Sequence, residues 1–223
     1  MENLKLNKNH RLVISADGSA ASGKTTGAKR ISKIFGLKFL SSGLLYRYAS
    51  YELLKHKPIN KFLFLKKKFN NLNLAKLNRL NLHSSEISEF TSLIAKEKRV
   101  RNILKSFQIN FSKRFNRICI EGRDIGTVIL PKADIKFFFK CDLNTATMRR
   151  FKELKKKNNK ITLAEVKKAI KIRNNRDTKR KNSPLIQPKD GVIVDTGKLK
   201  TIPDMLKKMS VTIDKKIKEK YGS

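Results

Sequence analysis

The residues with the plainest chemical meaning stand in one run, Asp17-Gly18-Ser19-Ala20-Ala21-Ser22-Gly23-Lys24-Thr25-Thr26. Residues 18–25 match the spacing G-x-x-x-x-G-K-[ST], in which small residues let backbone N–H groups turn inward around a phosphate chain. The helix that follows adds the positive end of its dipole to the same point. Lys24 is placed to meet β- and γ-phosphate oxygens, and the Thr25 hydroxyl to ligate Mg2+. A Gly/Ser-rich turn with a chance lysine is the alternative. It leaves unexplained the apolar run Leu12-Val13-Ile14 in front and the helix-compatible residues 27–35 behind. Strand, glycine loop and helix in that order are the context in which this spacing binds a nucleoside triphosphate. What receives a phosphoryl group has to be read elsewhere.

Three other clusters have the right residue types. In Ser42-Gly43-Leu44-Leu45-Tyr46-Arg47, the guanidinium can pair bidentately with a phosphate and the Ser42 hydroxyl can add a hydrogen bond. An arginine one turn into a helix can equally face solvent. In Glu121-Gly122-Arg123-Asp124-Ile125-Gly126-Thr127, two glycines bracket an Arg–Asp pair, a tight turn that aims both charges at one anionic, hydrogen-bonding ligand. Glu121 stands where a carboxylate reaches the water shell of the Mg2+, with a structural salt bridge as its competing role. Arg173, Asp177 and Arg180 fall at i, i+4 and i+7 and share a helix face. The arginines there would grip phosphates and the aspartate a ribose or base; otherwise the face is solvated and stitched by one ion pair.

Short apolar runs alternating with helical periodicity supply the elements that must position these clusters. Strands are expected at residues 11–16, 38–40, 117–121, 135–139 and 192–195, and helices at 24–35, 42–55, 100–115, 144–157, 163–180 and 202–220. Gly36 reads as the end of the first helix and Ser42 as the cap of the second. The pattern changes between 56 and 99: residues 61–82 mix Leu, Phe, Asn and Lys as a small helical or irregular insert, and residues 84–99 read as helical. A polar, frayed N-terminus over residues 1–10 completes the reading. The fold class is α/β, a parallel sheet with helices on both faces, and P-loop ligands then collect beyond the C-terminal strand ends.

Composition narrows the class. The chain has 223 residues, no apolar run long enough for a bilayer, and an N-terminus unlike a signal peptide, so a cytoplasmic enzyme of one domain is expected. Cys119 and Cys141 sit in apolar runs and read as reduced core residues. The net charge of +35, from 53 Lys and Arg against 18 Asp and Glu, suggests at first a nucleic-acid binder. Lysine is spread beside asparagine through nearly every segment, however, and compositional drift accounts for that without a function. Non-specific attraction to polyanions at low salt follows, and the same field draws in an anionic substrate. An RNA-binding P-loop ATPase is the rival reading; against it, no aromatic stacking motif interrupts the basic runs.

Taken together, the clusters resemble those of the bacterial-type cytidylate kinases. The resemblance is carried by residues 17–26, by Ser42-Gly43-x-x-Tyr46-Arg47, by residues 121–128, by Arg173, Arg176-Asp177 and Arg180, and by Ser183-Pro184-Leu185. It implies a three-layer nucleoside-monophosphate-kinase-like fold with five parallel strands, an acceptor-binding insert at about 56–99 and a short lid at about 149–162. It also implies transfer of the γ-phosphoryl group of ATP to CMP or dCMP, in pyrimidine nucleotide metabolism. ATP would lie on Gly18, Ser19, Ala20, Ala21, Ser22, Gly23, Lys24, Thr25 and Thr26. The acceptor would lie on Ser42, Arg47, Arg123, Asp124, Arg173, Asp177 and Arg180, with Ser92 and Arg101 as the serine and arginine of the pyrimidine pocket. Lys24, Arg123, Arg180 and Arg149 would be catalytic, with Arg149 and Arg150 as lid arginines over the ATP phosphates. Mg2+ would sit on Thr25, and on Glu121 through water. The chain would work as a monomer with no obligatory nucleic acid and no membrane; another P-loop small-molecule kinase, for example one that also takes UMP, is the nearest enzymatic alternative. Two departures concern the acceptor side. Ser41 stands where the family usually has Asp, and the insert is short and lacks the usual acidic, glycine-containing stretch.

Overall fold

Side-chain alternation along the central strand decides the layers of the molecule. In β1 (Leu12–Gly18), Leu12, Ile14 and Ala16 join one buried cluster and Val13 the other. Strands β2 (Lys38–Ser41), β3 (Arg117–Gly122), β4 (Ile135–Lys140) and β5 (Gly191–Asp195) complete a five-stranded sheet of order β2-β3-β1-β4-β5. All of its pairings are parallel. The computed structural model describes residues 10–77, 79–156, 159–199 and 201–222. The frayed stretch expected at 1–10 lies, except for residue 10, outside the described residues, as do positions 157–158 of the expected lid.

One face of the sheet is covered by α1 (Lys24–Ile34) and α9 (Ile202–Tyr221). Ile31, Met205, Met209 and Ile213 pack there on Ile14, Phe137 and Phe139. Burying a side chain of that size contributes about 1.5–3 kcal/mol. The other face carries α2 (Ser42–His56), α3 (Lys61–Asn70), α4 (Leu74–Leu77), α5 (Ser85–Ile94) and α6 (Lys98–Lys113). Leu65, Phe69, Leu77 and Ile94 of the expected insert share one core with Val13, Leu40, Ile118 and Ile120 of the sheet. A third small cluster joins Ala20 of the glycine loop to Ala146 of α7 (Leu143–Lys155) and to Val166 and Ile170 of α8 (Leu163–Lys179).

The expected elements form, with differences that have local causes. Ser42 does not cap α2. Ser41, the extended last residue of β2, accepts the Leu44 N–H, and Ser42 is already the first helical residue. The stretch 84–99 is broken after Ile94, and α6 begins at Lys98, two residues before the expected start. Arg180 is the C-cap of α8, with extended backbone, and so lies outside the helix face expected to carry it. After β3 the chain makes a single π-helical turn, Ile125–Ile129, that periodicity did not show. Both cysteines are free, Cys119 buried and Cys141 half-buried. Among the described residues no helix is long and apolar enough to cross a membrane.

Candidate active site

Parallel strands in this order bring the ends of β1, β2 and β3 to one edge. Asp17 is level with Gly122, and Ser41 with Glu121, so the glycine loop, the start of α2 and the Gly-Arg-Asp segment are neighbours. The loop needs its glycines for two different reasons. Gly23 has φ +81, the left-handed region that side chains disfavour. At Gly18 a Cβ would come within 2.5 Å of the Phe139 carbonyl oxygen. The loop is held from several sides: Ser22 Oγ donates to the Ser19 carbonyl at 3.0 Å, and Ala20 N–H donates to Asn174 Oδ1 of α8 at 3.0 Å. Thr196, just past β5, donates to the Ser22 carbonyl at 2.9 Å. Arg149 of α7 donates to both Thr196 Oγ1 and the Thr196 carbonyl at 2.8 Å, so it braces the loop from behind.

Lys24 opens α1 and rests its ammonium 3.1 Å from the Ser19 carbonyl. Burial lowers its pKa to about 7, and the positive charges of Arg123 and Arg173 push the same way, against Glu121 and Asp177. In the ligand-free chain this amine is therefore mostly neutral above pH 7, and a polyphosphate arriving beside it restores the proton. ATP binding at pH 8.5 is expected to take up about one proton. Calorimetry in buffers of different ionisation enthalpy measures this; normal ATP affinity with no uptake would count against Lys24 as the phosphate contact.

A cleft beside the loop is lined by Ser42, Ser92, Arg101, Arg123, Asp124, Arg173, Asp177 and Arg180, together with Tyr46. These are the expected acceptor residues but one. Arg47 does not line it; its guanidinium donates to the Leu82 carbonyl at 2.9 Å and to Ser88 Oγ at 2.8 Å. Within the cleft the charges interlock. Asp177 Oδ2 accepts from Arg123 Nε at 2.8 Å and lies 3.9 Å from Arg173 Nε, while Oδ1 lies 3.5 Å from Arg180. Arg101 pairs with Asp124 Oδ2 and lies 5.6 Å from the Tyr46 ring centroid. Arg180 is 3.7 Å from Asp124 Oδ1. So the Arg–Asp pair of the turn does not point at one spot: Arg123 reaches α8 and Asp124 reaches α6.

Positive charge is in excess here. Burial lowers the Arg173 pKa to about 9, helped by Arg123, Arg47 and Arg150. Burial lowers Arg47 to about 10, helped by Arg150 and Arg123. For Asp177, burial alone would raise the pKa, and the guanidiniums of Arg123, Arg173 and Arg180 reverse it, holding it below the usual carboxylate range. Arginines that depress one another's protonation while surrounding a buried lysine form a site that an anion relieves.

Residues 18–26 run from the end of β1 through the loop 19–23 into the first turn of α1, with Thr25 and Thr26 exposed. Glu121 is buried, accepts from Ser41 Oγ through Oε1, and has no hydrogen-bond partner at Oε2 among the described residues. No group of three or more His, Cys, Asp or Glu able to hold a metal exists among those residues. A larger cavity of about 570 Å³ opens on the other side of the loop, lined by Ser19, Phe139, Cys141, Asp142, Asp195 and Gly197 among others.

Sequence reasoning missed several contributors. Asp17 is buried and accepts the N–H groups of Ile125 at 2.9 Å and Gly126 at 2.7 Å, clamping the start of the π-helical turn that follows Arg123 and Asp124. Burial raises its pKa to about 7, helped by the charge of Asp124 and opposed by the two N–H bonds. An acid ending an apolar strand was the available signal. Asn174 and Thr196, which hold the loop, carried none.

Comparison with known proteins identifies the family. The family model described as "Cytidylate kinase" matches residues 14–215. A protein named cytidylate kinase from Rickettsia canadensis is 38% identical over 193 residues, 85% of this chain and 86% of its own length. One of the same name from Bartonella tribocorum is 38% identical over 84% of this chain and 87% of its own. A crystal structure of TT1252 from Thermus thermophilus superposes with a TM-score of 0.50 at 14% identity, covering 92% of this chain and 97% of that one, a likeness of fold. With a family model matched from the first strand to the last helix, and with the glycine loop, Gly-Arg-Asp turn and arginine helix meeting at one sheet edge, the chain belongs to the cytidylate kinase family, enzymes that pass a phosphoryl group from ATP to CMP or dCMP.

Proposed function

We propose that the chain transfers the γ-phosphoryl group of ATP to the phosphate of CMP or dCMP, with ATP on residues 18–26 and the acceptor in the cleft of Arg101, Arg123, Asp124, Arg173, Asp177 and Arg180. The observation that carries this is the crowd of mutually repelling guanidiniums facing the buried ammonium of Lys24. Two phosphate groups brought together there are neutralised from both sides. Charge that spreads over the transferring group in the transition state meets donors already in place. The acceptor phosphate is already ionised and needs no general base.

On this reading the nucleoside of ATP occupies the cavity beside Cys141, Asp142 and Gly197, next to Arg149 on α7. Mg2+, held by Thr25 and through water by Glu121, would neutralise charge on the β- and γ-phosphates. The acceptor cleft is narrow, about 40 Å³, because the arginines lean on Asp177 and Asp124. An entering phosphate competes with those carboxylates for the guanidiniums, which leaves Asp177 free to meet a sugar hydroxyl. Arg47 is poised at the rim, in the same field but bonded to Leu82 and Ser88, and reaches the acceptor phosphate only if those bonds open. Residues 56–99 act as the acceptor-binding insert and about 149–162 as the lid, in a monomeric cytoplasmic enzyme.

An ADP-release assay over CMP, dCMP, UMP, AMP and GMP tests the reading. CMP and dCMP should exceed AMP and GMP by at least about a hundredfold in kcat/KM, the scale set by buried polar groups left unpaired. AMP or GMP turning over faster than CMP overturns the acceptor assignment, and RNA-stimulated ATP hydrolysis with no phosphorylated acceptor overturns the kinase itself.

A further inference from the structure

Only two residues, Arg123 and Asp124, separate the end of β3 from the π-helical turn. The backbone on either side of them is fastened to β1. Before them, Gly122 lies level with Asp17 in the β1–β3 ladder. After them, Asp17 Oδ1 accepts the Ile125 N–H at 2.9 Å and Oδ2 accepts the Gly126 N–H at 2.7 Å. From this geometry we propose that Asp17 is a positioning residue for phosphoryl transfer, its carboxylate fixing the backbone from which Arg123 reaches the reacting phosphates. The proposal rests on the reading that Arg123 meets the transferring group.

The turn depends on this carboxylate for its place. Two successive N–H groups need two acceptors side by side, and an ionised carboxylate supplies both. Bonds to a charged acceptor are also shorter and stronger than neutral ones. The glycines let the turn lie close against its neighbours: a Cβ on Gly122 would come within 2.8 Å of the Ile125 side chain, and one on Gly126 within 2.7 Å of Ser15 Oγ on β1. Among the described residues Asp124 does not cap the turn; its carboxylate goes to Arg101.

The Arg123 side chain is held less exclusively than its backbone. Its Nε donates to Asp177 at 2.8 Å and its Nη1 to the Gly122 carbonyl at 3.2 Å, while Asp177 is shared with Arg173 and Arg180. Once an entering phosphate competes for the guanidinium, the backbone is what still aims it. A misplacement of about 1 Å in such a group can cost about a hundredfold in rate.

Asp17 also directly precedes Gly18, so a change there has a second route to activity, through the ATP loop. The two routes touch different quantities. A disturbed loop weakens ATP binding. A displaced turn slows transfer, and does so only while Arg123 is present.

The test is a double-mutant cycle of Asp17→Asn with Arg123→Ala in the full-length chain, assayed at pH 8, above the value to which burial raises Asp17. Asparagine keeps the shape and one acceptor, and sets its NH2 against the other N–H. Asp17→Asn should lower kcat for CMP about thirtyfold, with the KM for ATP within about threefold of normal. On the Arg123→Ala background the same change should lower kcat by less than about threefold. Gly126→Ala, whose Cβ would be crowded by Ser15, Pro188 and Lys136, displaces the same turn with Asp17 intact. It should show the same pattern, and it carries the test if Asp17→Asn does not fold. The proposal is overturned if Asp17→Asn keeps kcat within about threefold of normal, or if its loss lies in the KM for ATP. It is also overturned if Asp17→Asn costs as much on Arg123→Ala as on the unaltered chain, or if Gly126→Ala, carrying the test, turns over normally. Normal turnover of Arg123→Ala itself would overturn the reading of the site first, and the proposal with it.

Discussion

Arg123→Ala is expected to lower kcat/KM for CMP by about three orders of magnitude, with most of the loss in kcat. Arg123 sits where the two halves of the site meet. Its Nε donates to Asp177 at 2.8 Å, and its charge is the largest electrostatic influence lowering the pKa of Lys24. On the proposed function its guanidinium would meet the transferring group when the charge there is most spread, so its removal should cost transition-state stabilisation more than binding. The urea midpoint should change little by comparison, because Arg123 leaves behind a carboxylate that still has Arg173 and Arg180. An exposed lysine makes the contrast: Lys67→Ala, on the outer side of α3, should turn over as the unaltered chain does. Turnover of the Arg123 variant within about tenfold of normal would remove the Gly-Arg-Asp turn from the chemistry.

Asp177→Ala should instead be a stability variant, losing about 3–5 kcal/mol of unfolding free energy. Its carboxylate is the shared counter-ion of Arg123, Arg173 and Arg180, and without it those guanidiniums face one another in a buried cleft. Asp177→Asn, which preserves shape but not charge, should lose a comparable amount, and inorganic phosphate should restore part of it in both. Urea unfolding with and without phosphate reads all of this. The pH dependence has a definite sign. The folded-state pKa of Asp177 is depressed, so its contribution is complete above the ordinary carboxylate pKa. It is lost as pH falls through the folded value. The stability gap between the unaltered chain and Asp177→Asn should therefore close in acid. Equal urea midpoints at neutral pH would mean that the cleft holds its arginines apart without this anion.

Both predictions concern residues that could be named from the chain alone, which is a measure of how much was local. Residues 18–26 declare themselves because a phosphate loop is built from backbone N–H groups and small side chains within one short segment. The strands and most of the helices are legible for the same reason, since an alternating or continuous apolar run and a 3.6-residue period are short-range patterns. The chemistry was legible to the extent that charged residues gather in clusters a few positions long.

The destinations of those side chains were not. Ser41, not Ser42, caps α2, because the last residue of β2 is extended and level with Glu121, a fact of register. Arg47 reads as a phosphate arginine and is bonded instead to Leu82 and Ser88, because α2 packs against the helices of residues 61–94. Arg123 and Asp124, adjacent in sequence, part to meet partners 54 and 23 residues away. Asp17 clamps a turn 108 residues further on, and Arg176 bonds to a serine 84 residues back. The amino-acid sequence by itself determined that a glycine loop of phosphate-binding spacing joins a strand to a helix, and which charged residues are available to hold an acceptor. Only the tertiary structure decided which of them share a cleft and what each is bonded to. That depends on strand order and helix packing, which bring distant positions within hydrogen-bond reach and which no local pattern carries.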